Sequence, residues 1–114
     1  MQTSVDRRGD VTTVHIAGSV DGVTAEALQQ VLSDELAADH HHLVADFGAV
    51  EYTSSAGLRV LLATLKQARS RGGDLRLAAL NPDVRKVLDL SGFTTILRVF
   101  DSVDDAVQSF GDHR

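Results

Sequence analysis

Short apolar stretches typical of β-strands alternate along this chain with longer stretches that have a single apolar face, as amphipathic helices do. Two strand-like stretches come first, and from there each strand candidate is separated from the next by a helix candidate. This order, β-β-α-β-α-β-α-β-α, predicts an α/β fold with a mixed, largely parallel sheet of about five strands and about four helices packed on it. The strand candidates are residues 2–5, 11–18, 41–50, 74–80 and 96–100.

The helix candidates carry start and stop signals of their own. Apolar residues recur in them at three- and four-residue steps, which indicates one buried stripe per helix. The clearest stripes are Leu28, Val31, Leu32 and Leu36, and then Leu58, Leu61, Leu62, Leu65 and Ala68. The predicted N-caps are Thr24, Asn81 (with Pro82 behind it) and Asp101 or Ser102, and the predicted ends are Gly72 or Gly73 and Gly92. Short connections between strands and helices place the helix N-termini near the carboxyl ends of strands, where sites usually lie.

Size and charge limit the possible functions. The chain has 114 residues and is 43% hydrophobic, which suits one compact domain over residues 1–114. Its formal net charge is -5 and its basic residues are scattered, so no basic tract is available for nucleic acid. It has no Cys, which excludes disulfides and thiolate metal sites. No stretch approaches the ~20 apolar residues of a membrane span, and the N-terminus lacks a signal-peptide core. We therefore expect a soluble, cytoplasmic protein without direct membrane insertion.

Three short motifs invite a catalytic or metal-binding interpretation, but their context supports none of them. The histidines at 40–42 are consecutive, so their side chains point in different directions, and no Cys or acidic spacing completes a metal site. The "DFG" at 46–48 matches a protein-kinase motif, yet 114 residues cannot hold a kinase. The "SSAG" at 54–57 lacks the G-x-S-x-G elbow of a serine hydrolase. We therefore expect no enzyme, no bound metal and no cofactor.

Ser54 and Ser55 stand where a strand-like stretch gives way to the second helix candidate. A structural interpretation is helix capping, because a Ser hydroxyl accepts a hydrogen bond from a free backbone N–H. A regulatory interpretation is phosphorylation, because the free N–H groups and the dipole of a helix N-terminus tolerate an anion. The small residues Ala56 and Gly57 leave a flat patch on which a partner can dock. A phosphate would add about -2 charge there and expel the partner while the fold survives.

The segment LVADFGAVEYTSSAGLRVLL, residues 43–62, resembles the signature of the STAS domain, which sulfate transporters and anti-sigma factor antagonists share. The resemblance extends over nearly the whole chain. It includes VHIAGSVDGVTAEALQQVL before this segment and LRLAALNPDVRKVLDLSGFTTILRVFDSVDDAV after it. In the family the phosphorylated serine lies two residues before the motif glycine, which corresponds to Ser55 when Gly57 is that glycine. An Asp often precedes the serine in the family, whereas this chain has Ser54.

The resemblance implies an anti-sigma factor antagonist of a bacterial partner-switching system. When unphosphorylated, such a protein binds a serine-kinase anti-sigma factor and so frees a sigma factor. The kinase, which holds the ATP, then phosphorylates Ser55 and releases the antagonist, and a phosphatase restores binding. Asp21 and Asp46 match two acidic family positions and would line the site with Ser55. The expected contact rim is Thr53, Ser54, Ala56, Gly57 and Arg59.

A second function remains open at this point. Standalone STAS domains also serve as cytoplasmic subunits of lipid-transport ABC systems, where they bind the ATPase and stabilise its assembly. The absence of Asp before Ser55 slightly favours this role. The S-S-A-G-L form and the near-minimal length favour the antagonist.

Overall fold

The structure, a computed structural model, describes residues 1–111. Within these residues, five strands and four α-helices follow one another in the order that the sequence predicts. The strands are β1 (Gln2–Arg8), β2 (Val11–Val20), β3 (His42–Thr53), β4 (Asp74–Ala78) and β5 (Arg98–Phe100). The helices are α1 (Thr24–Ala37), α2 (Ser55–Ser70), α3 (Pro82–Leu90) and α4 (Val103–Gly111), and a short 3-10 helix, Phe93–Thr95, precedes β5.

The five strands form one sheet in the order β1-β2-β3-β4-β5. β1 is antiparallel to β2, and each later strand is parallel to its neighbour. Since the parallel strands advance across the sheet in one direction, right-handed crossovers put α1, α2 and α3 on the same face. α4 follows the edge strand β5 and packs on the other face. The predicted mixed, largely parallel α/β sheet is confirmed.

The main core lies between the sheet and the first three helices. The predicted stripes of α1 and α2 supply most of its helical side, and Leu28, Leu32 and Leu61 are completely buried there. Each such leucine contributes roughly 1.5–3 kcal/mol by leaving water. A smaller cluster lies under α4 and consists of Val11, Val44, Ala78, Ala106 and Phe110. The two clusters fix helices on both faces of the sheet.

Most of the predicted helix signals are confirmed. Asn81 caps α3, since its Oδ1 accepts from the backbone N–H of Val84 at 2.8 Å. Ser102, rather than Asp101, caps α4 by accepting from the N–H of Asp105 at 3.1 Å. Gly72, just after α2, has a φ of 83°, a left-handed conformation that favours glycine.

The predicted Thr24 cap of α1 is wrong, because Thr24 is the first residue of the helix itself. Asp21 takes that role, and its Oδ1 accepts from the backbone N–H groups of Val23 and Thr24, both at 2.9 Å. The Thr24 hydroxyl accepts from the backbone N–H of Asp21 at 2.8 Å and lies within donating distance of both the Ser19 carbonyl, at 3.0 Å, and the Asp21 carboxylate, at 3.1 Å. An acidic residue therefore fixes the turn between β2 and α1.

Every strand differs from the sequence prediction at one or both ends. β1 continues to Arg8 and β2 to Val20, whereas β4 already ends at Ala78, and β3 begins one residue later than predicted. β3 continues past residue 50 to Thr53, because its last part stays paired with the end of β2. The last strand begins at Arg98 rather than at Ile96, since the N–H groups of Ile96 and Leu97 both donate to the carbonyl of Phe93. The longer β3 carries the start of α2 beyond the ends of β4 and β5.

Candidate functional site

Two helix N-termini lie side by side at one edge of the sheet. β2 and β3 end as a pair, with Val20 opposite Thr53. The backbone N–H of Ser54 donates to the carbonyl of Val20 at 2.8 Å, which ties the start of α2 to the end of β2. Both helices therefore direct their first, free N–H groups toward the same edge, which is a setting that favours anions.

Ser54 and Ser55 have different positions at this edge. Ser54 is the N-cap of α2: its backbone is extended (φ -89°, ψ 173°) and its Oγ accepts from the N–H of Gly57 at 3.4 Å. Ser55 is the first residue of the helix and its side chain is exposed. Among residues 1–111 nothing forms a hydrogen bond with the Ser55 hydroxyl. Ser54 therefore caps the helix, as the capping interpretation requires, whereas the Ser55 hydroxyl makes no hydrogen bond that stabilises the described part of the fold.

Gly57 and Thr53 face inward, which differs from the contact rim expected from the sequence. Gly57 is buried, and a Cβ at this position would lie 2.5 Å from the Thr53 Oγ1 and 2.8 Å from the Val20 Cγ1. Thr53 itself is only 3% exposed. The space left by the missing Gly57 side chain is therefore filled by Thr53 and Val20, at the ends of β3 and β2, and not by a partner. Both residues position the start of α2 and present no surface of their own.

Asp21 lies beside this helix start, because it directly follows Val20. The pKa of Asp21 lies below its ordinary value because three groups hydrogen-bond its carboxylate. In decreasing order of effect they are the backbone N–H of Thr24, the Thr24 hydroxyl and the backbone N–H of Val23. The carboxylate is exposed and so remains charged at the edge of the sheet. Asp21 is both the cap of α1 and a negative charge close to Ser55.

A groove of about 410 Å³ runs between α1 and α2 and opens at the same edge. Ala56 and Arg59 line it from α2, and Glu26 and Gln29 line it from α1. Arg59 is exposed and lies one turn after Ser55, so the two side chains share one side of the helix. The structure thus places Ser55, Ala56 and Arg59 next to one another at this edge.

Two exposed apolar residues near this edge were missed by the sequence analysis. Val23, in the turn before α1, is 84% exposed, and Tyr52, near the end of β3, is 53% exposed. Tyr52 faces the opposite side of the sheet from Thr53, because successive strand residues alternate. For Val23 the available signal was an apolar residue directly after Gly22, in the turn before a helix candidate. We call the exposed and half-buried residues at the paired helix starts the helix-start surface: Asp21, Val23, Ser55, Ala56 and Arg59.

Asp46 is not part of the helix-start surface. It lies seven residues before Thr53 in the same extended strand, roughly 20 Å away along β3. Its Oδ2 lies 2.6 Å from the Nδ1 of His15 on the neighbouring strand, and its Oδ1 accepts from the N–H of Gly48 at 2.9 Å. The expectation that Asp46 lines the site with Ser55 does not agree with this placement, because the long β3 separates them.

The histidine run has local partners. The Nδ1 of His40 lies 2.8 Å from the Oε1 of Glu35, and the ring centroids of His41 and His42 are 4.9 Å apart. Within residues 1–111, no three His, Cys, Asp or Glu side chains are arranged to hold a metal ion. In the same part of the chain no helix combines the length and the apolar character that crossing a bilayer requires.

Comparison with known proteins identifies the family. The model of the STAS domain family matches residues 2–106. The chain belongs to the STAS domain family. Among relatives, BtrV of Bordetella bronchiseptica is 36% identical over 110 residues, which cover 96% of this chain and 95% of BtrV. The α/β arrangement is therefore that of a STAS domain.

Solved structures agree with this assignment. The structure of an anti-sigma factor antagonist from Mycobacterium paratuberculosis superposes with a TM-score of 0.87 at 31% identity, covering 95% of this chain and 92% of that one. SpoIIAA, a cell fate determinant of Bacillus, has been solved in a phosphorylated form. It superposes with a TM-score of 0.75 at 15% identity, covering 96% of this chain and 99% of SpoIIAA, a likeness of fold alone.

Proposed function

We propose that this STAS-domain chain is an anti-sigma factor antagonist that binds a serine-kinase anti-sigma factor and is switched by phosphorylation of Ser55. The observation that carries the proposal is the different use of the two serines. Ser54 caps α2, while Ser55 is exposed and has no hydrogen bond among the described residues. A kinase can therefore modify Ser55 without removing the cap. The similarity to a named anti-sigma factor antagonist at 31% identity supports this function.

Ser54 in place of the Asp common in the family is compatible with this switch. Asp and Ser are both strong N-caps, because each offers an oxygen to the first free N–H groups of a helix. Ser54 makes that hydrogen bond to Gly57 here, so the helix start that carries Ser55 is kept. A neutral cap also leaves one negative charge fewer beside the proposed phosphorylation site.

A phosphate on Ser55 would have opposite effects on the fold and on the interface. The free N–H groups at the start of α2 and the helix dipole favour an anion, so the domain stays folded. Arg59, one turn later on the same side, offers a further positive charge. At the helix-start surface the phosphate adds about -1.5 to -2 charge close to Ala56 and Val23. Covering that charge with a partner would require its desolvation, so the partner is released.

In this proposal the anti-sigma factor is both the partner and the kinase. It holds the ATP, this chain is the substrate, and a phosphatase returns the chain to its binding form. The exchange needs ATP, so we place it in the cytoplasm. The net charge of -5 suits a partner with a basic surface. The similarity to relatives named as anti-sigma factor antagonists favours this function over the assembly subunit of an ABC transporter, which we do not propose.

The test is capture from a lysate of the native host with immobilised wild type, Ser55→Ala, Ser55→Asp and Ser54→Asp, followed by mass spectrometry. Wild type and Ser55→Ala should retain an anti-sigma factor with a kinase domain, and Ser55→Asp should not. Ser54→Asp is the matched control, because it adds the same charge one residue earlier, at the cap. It should keep binding.

Phosphorylation itself is tested with the captured kinase. With ATP, wild type and Ser54→Ala should each gain one phosphate that maps to Ser55, and Ser55→Ala should gain none. Phosphate mapped to Ser54, or equal retention of the kinase by Ser55→Asp and wild type, would contradict the switch. Recovery of an ABC ATPase by every variant would instead support the assembly role.

A further inference from the structure

A second surface lies at the far edge of the sheet, beside β5. Within the described residues, 1–111, this strand pairs with β4 alone and forms the edge of the sheet. An edge strand leaves alternate backbone N–H and C=O groups without a strand partner, and an extended peptide can pair with them. A groove of about 560 Å³ follows this edge and is lined by seven consecutive residues, 94–100, together with Arg69 and Arg85. We call it the β5 groove.

Three arginines surround the β5 groove: Arg69, Arg85 and Arg98. This clustering runs against the chain as a whole, which has 16 acidic and 11 basic residues. Arg98 is exposed and its guanidinium lies 5.1 Å from the Phe100 ring centroid, with no carboxylate partner among residues 1–111. Arg85 has only a long contact of 3.9 Å with Asp89, on an exposed helix surface.

Arg69, the remaining arginine of the groove, shares the carboxylate of Asp74 with Arg76. Asp74 accepts from the Nε of Arg69 at 2.9 Å and from the Nε of Arg76 at 3.0 Å, so one negative charge serves two positive ones. Arg69 also donates to the carbonyl of Ile96 at 2.8 Å, which holds it against the groove wall. Arg76 itself does not line the groove and lies over the Phe110 ring. The residues that line the groove thus include three arginines and no carboxylate.

We propose that the β5 groove binds an acidic, extended peptide segment of a partner protein, added as a strand beside β5. The free strand edge supplies the backbone pairing, and the arginines supply the charge complementarity. A second copy of this chain fits poorly as the occupant. Its free β1 edge carries a single carboxylate, Asp6, next to Arg7 and Arg8, so it is not an acidic strand. Its β5 edge carries Arg98 and would bring positive charge to positive charge.

The β5 groove is separate from the helix-start surface. Arg69 lies 14 residues after Ser55 on α2, which corresponds to about 21 Å along the helix axis. Binding at the groove therefore does not depend on the proposed phosphorylation switch. Either proposal can fail without the other.

The test uses a fluorescein-labelled peptide of alternating Glu and Val as the probe, because alternation puts all its carboxylates on one side of a strand. Binding to the full chain is followed by fluorescence anisotropy at low salt. Backbone amide NMR shifts locate the site. We expect shifts concentrated at residues 94–100 and no binding of the matched peptide with Gln in place of Glu. Reversal of two exposed charges, Arg85→Glu with Arg98→Glu, should weaken binding roughly tenfold or more.

The control variant is Arg7→Glu, which makes a like charge change at an exposed position on β1, the opposite edge strand of the sheet, and should leave the peptide affinity within about twofold. Absence of shifts at residues 94–100 in the wild type would overturn the proposal even if a variant failed to fold. It would also be overturned if inorganic phosphate at matched ionic strength displaced the peptide, since the groove would then be a small-anion site. Self-association of the wild type through β5 would equally overturn it.

Discussion

Gly57→Ala tests whether the start of α2 is held by close packing against the strand ends. The added Cβ would lie 2.5 Å from the Thr53 Oγ1 and 2.8 Å from the Val20 Cγ1, and both neighbours are buried. Overpacking of this kind costs about 1–3 kcal/mol. Ala gains up to about 1 kcal/mol over Gly in a helix interior, and less in the first turn. We expect a net loss of about 1–2 kcal/mol in the free energy of unfolding.

Urea unfolding followed by circular dichroism measures this loss, with Gly22→Ala as the control because a Cβ at Gly22 meets no atom within 4 Å. A double-mutant cycle with Thr53→Ala tests the cause. Removing the Oγ1 relieves the closer contact, so Gly57→Ala should cost about 1 kcal/mol less in the Thr53→Ala background. If Gly57→Ala is as stable as the wild type, or if the cycle shows no coupling, the packing argument is wrong.

Four further predictions concern individual side chains. Ser54→Ala should lower the free energy of unfolding by about 0.5–1 kcal/mol in urea, since it removes the cap, and Ser55→Ala should change it by less than about 0.5 kcal/mol. The backbone hydrogen bonds at the start of α1 lower the pKa of Asp21. Its stabilising effect is therefore present above the unfolded-state pKa of about 4 and is lost as the pH falls through the lower folded-state pKa, so Asp21→Asn should destabilise the chain at neutral pH and much less in acid. Asp46→Ala should leave capture of the anti-sigma factor unchanged, because Asp46 lies away from the helix-start surface. Asp74→Asn should cost about 3 kcal/mol in urea unfolding, because it leaves two guanidinium groups, one of them buried, without their carboxylate.

The fold could be predicted from the sequence because its strongest signals are local and repetitive. The stripes of α1 and α2 and the cap and proline of α3 depend on neighbours in the chain, and all of them are confirmed. Strand lengths depend instead on pairing between distant residues. The end of β3, residues 51–53, is mostly exposed and looks like a loop in isolation, yet it stays in the sheet because β2 runs beside it. No local pattern could show that register.

Only part of the site could be predicted from the sequence. The errors in that prediction share one physical cause, which is contact or separation between residues that the sequence alone does not place in space. The sequence shows that small residues surround Ser55, but it does not show which atoms use the space they leave. At Gly57 the space is taken by Val20, a residue that is distant in the chain and adjacent in the sheet. Asp46 was grouped with Ser55 because it matches an acidic position of the resembled family, and the extended β3 places the two roughly 20 Å apart.

The structure also clarifies what a phosphorylation switch requires of a helix start. If one serine were both cap and phosphorylation site, modification would remove a hydrogen bond that the fold uses, and the switch would cost stability. Here the cap is at Ser54 and is backed by the bond from its N–H to Val20, while Ser55 takes no part in either contact. Stability and binding can therefore change independently at two adjacent positions. That independence is what the Ser54→Ala and Ser55→Asp pair measures: the first should alter unfolding without affecting the partner, and the second should release the partner without unfolding the domain.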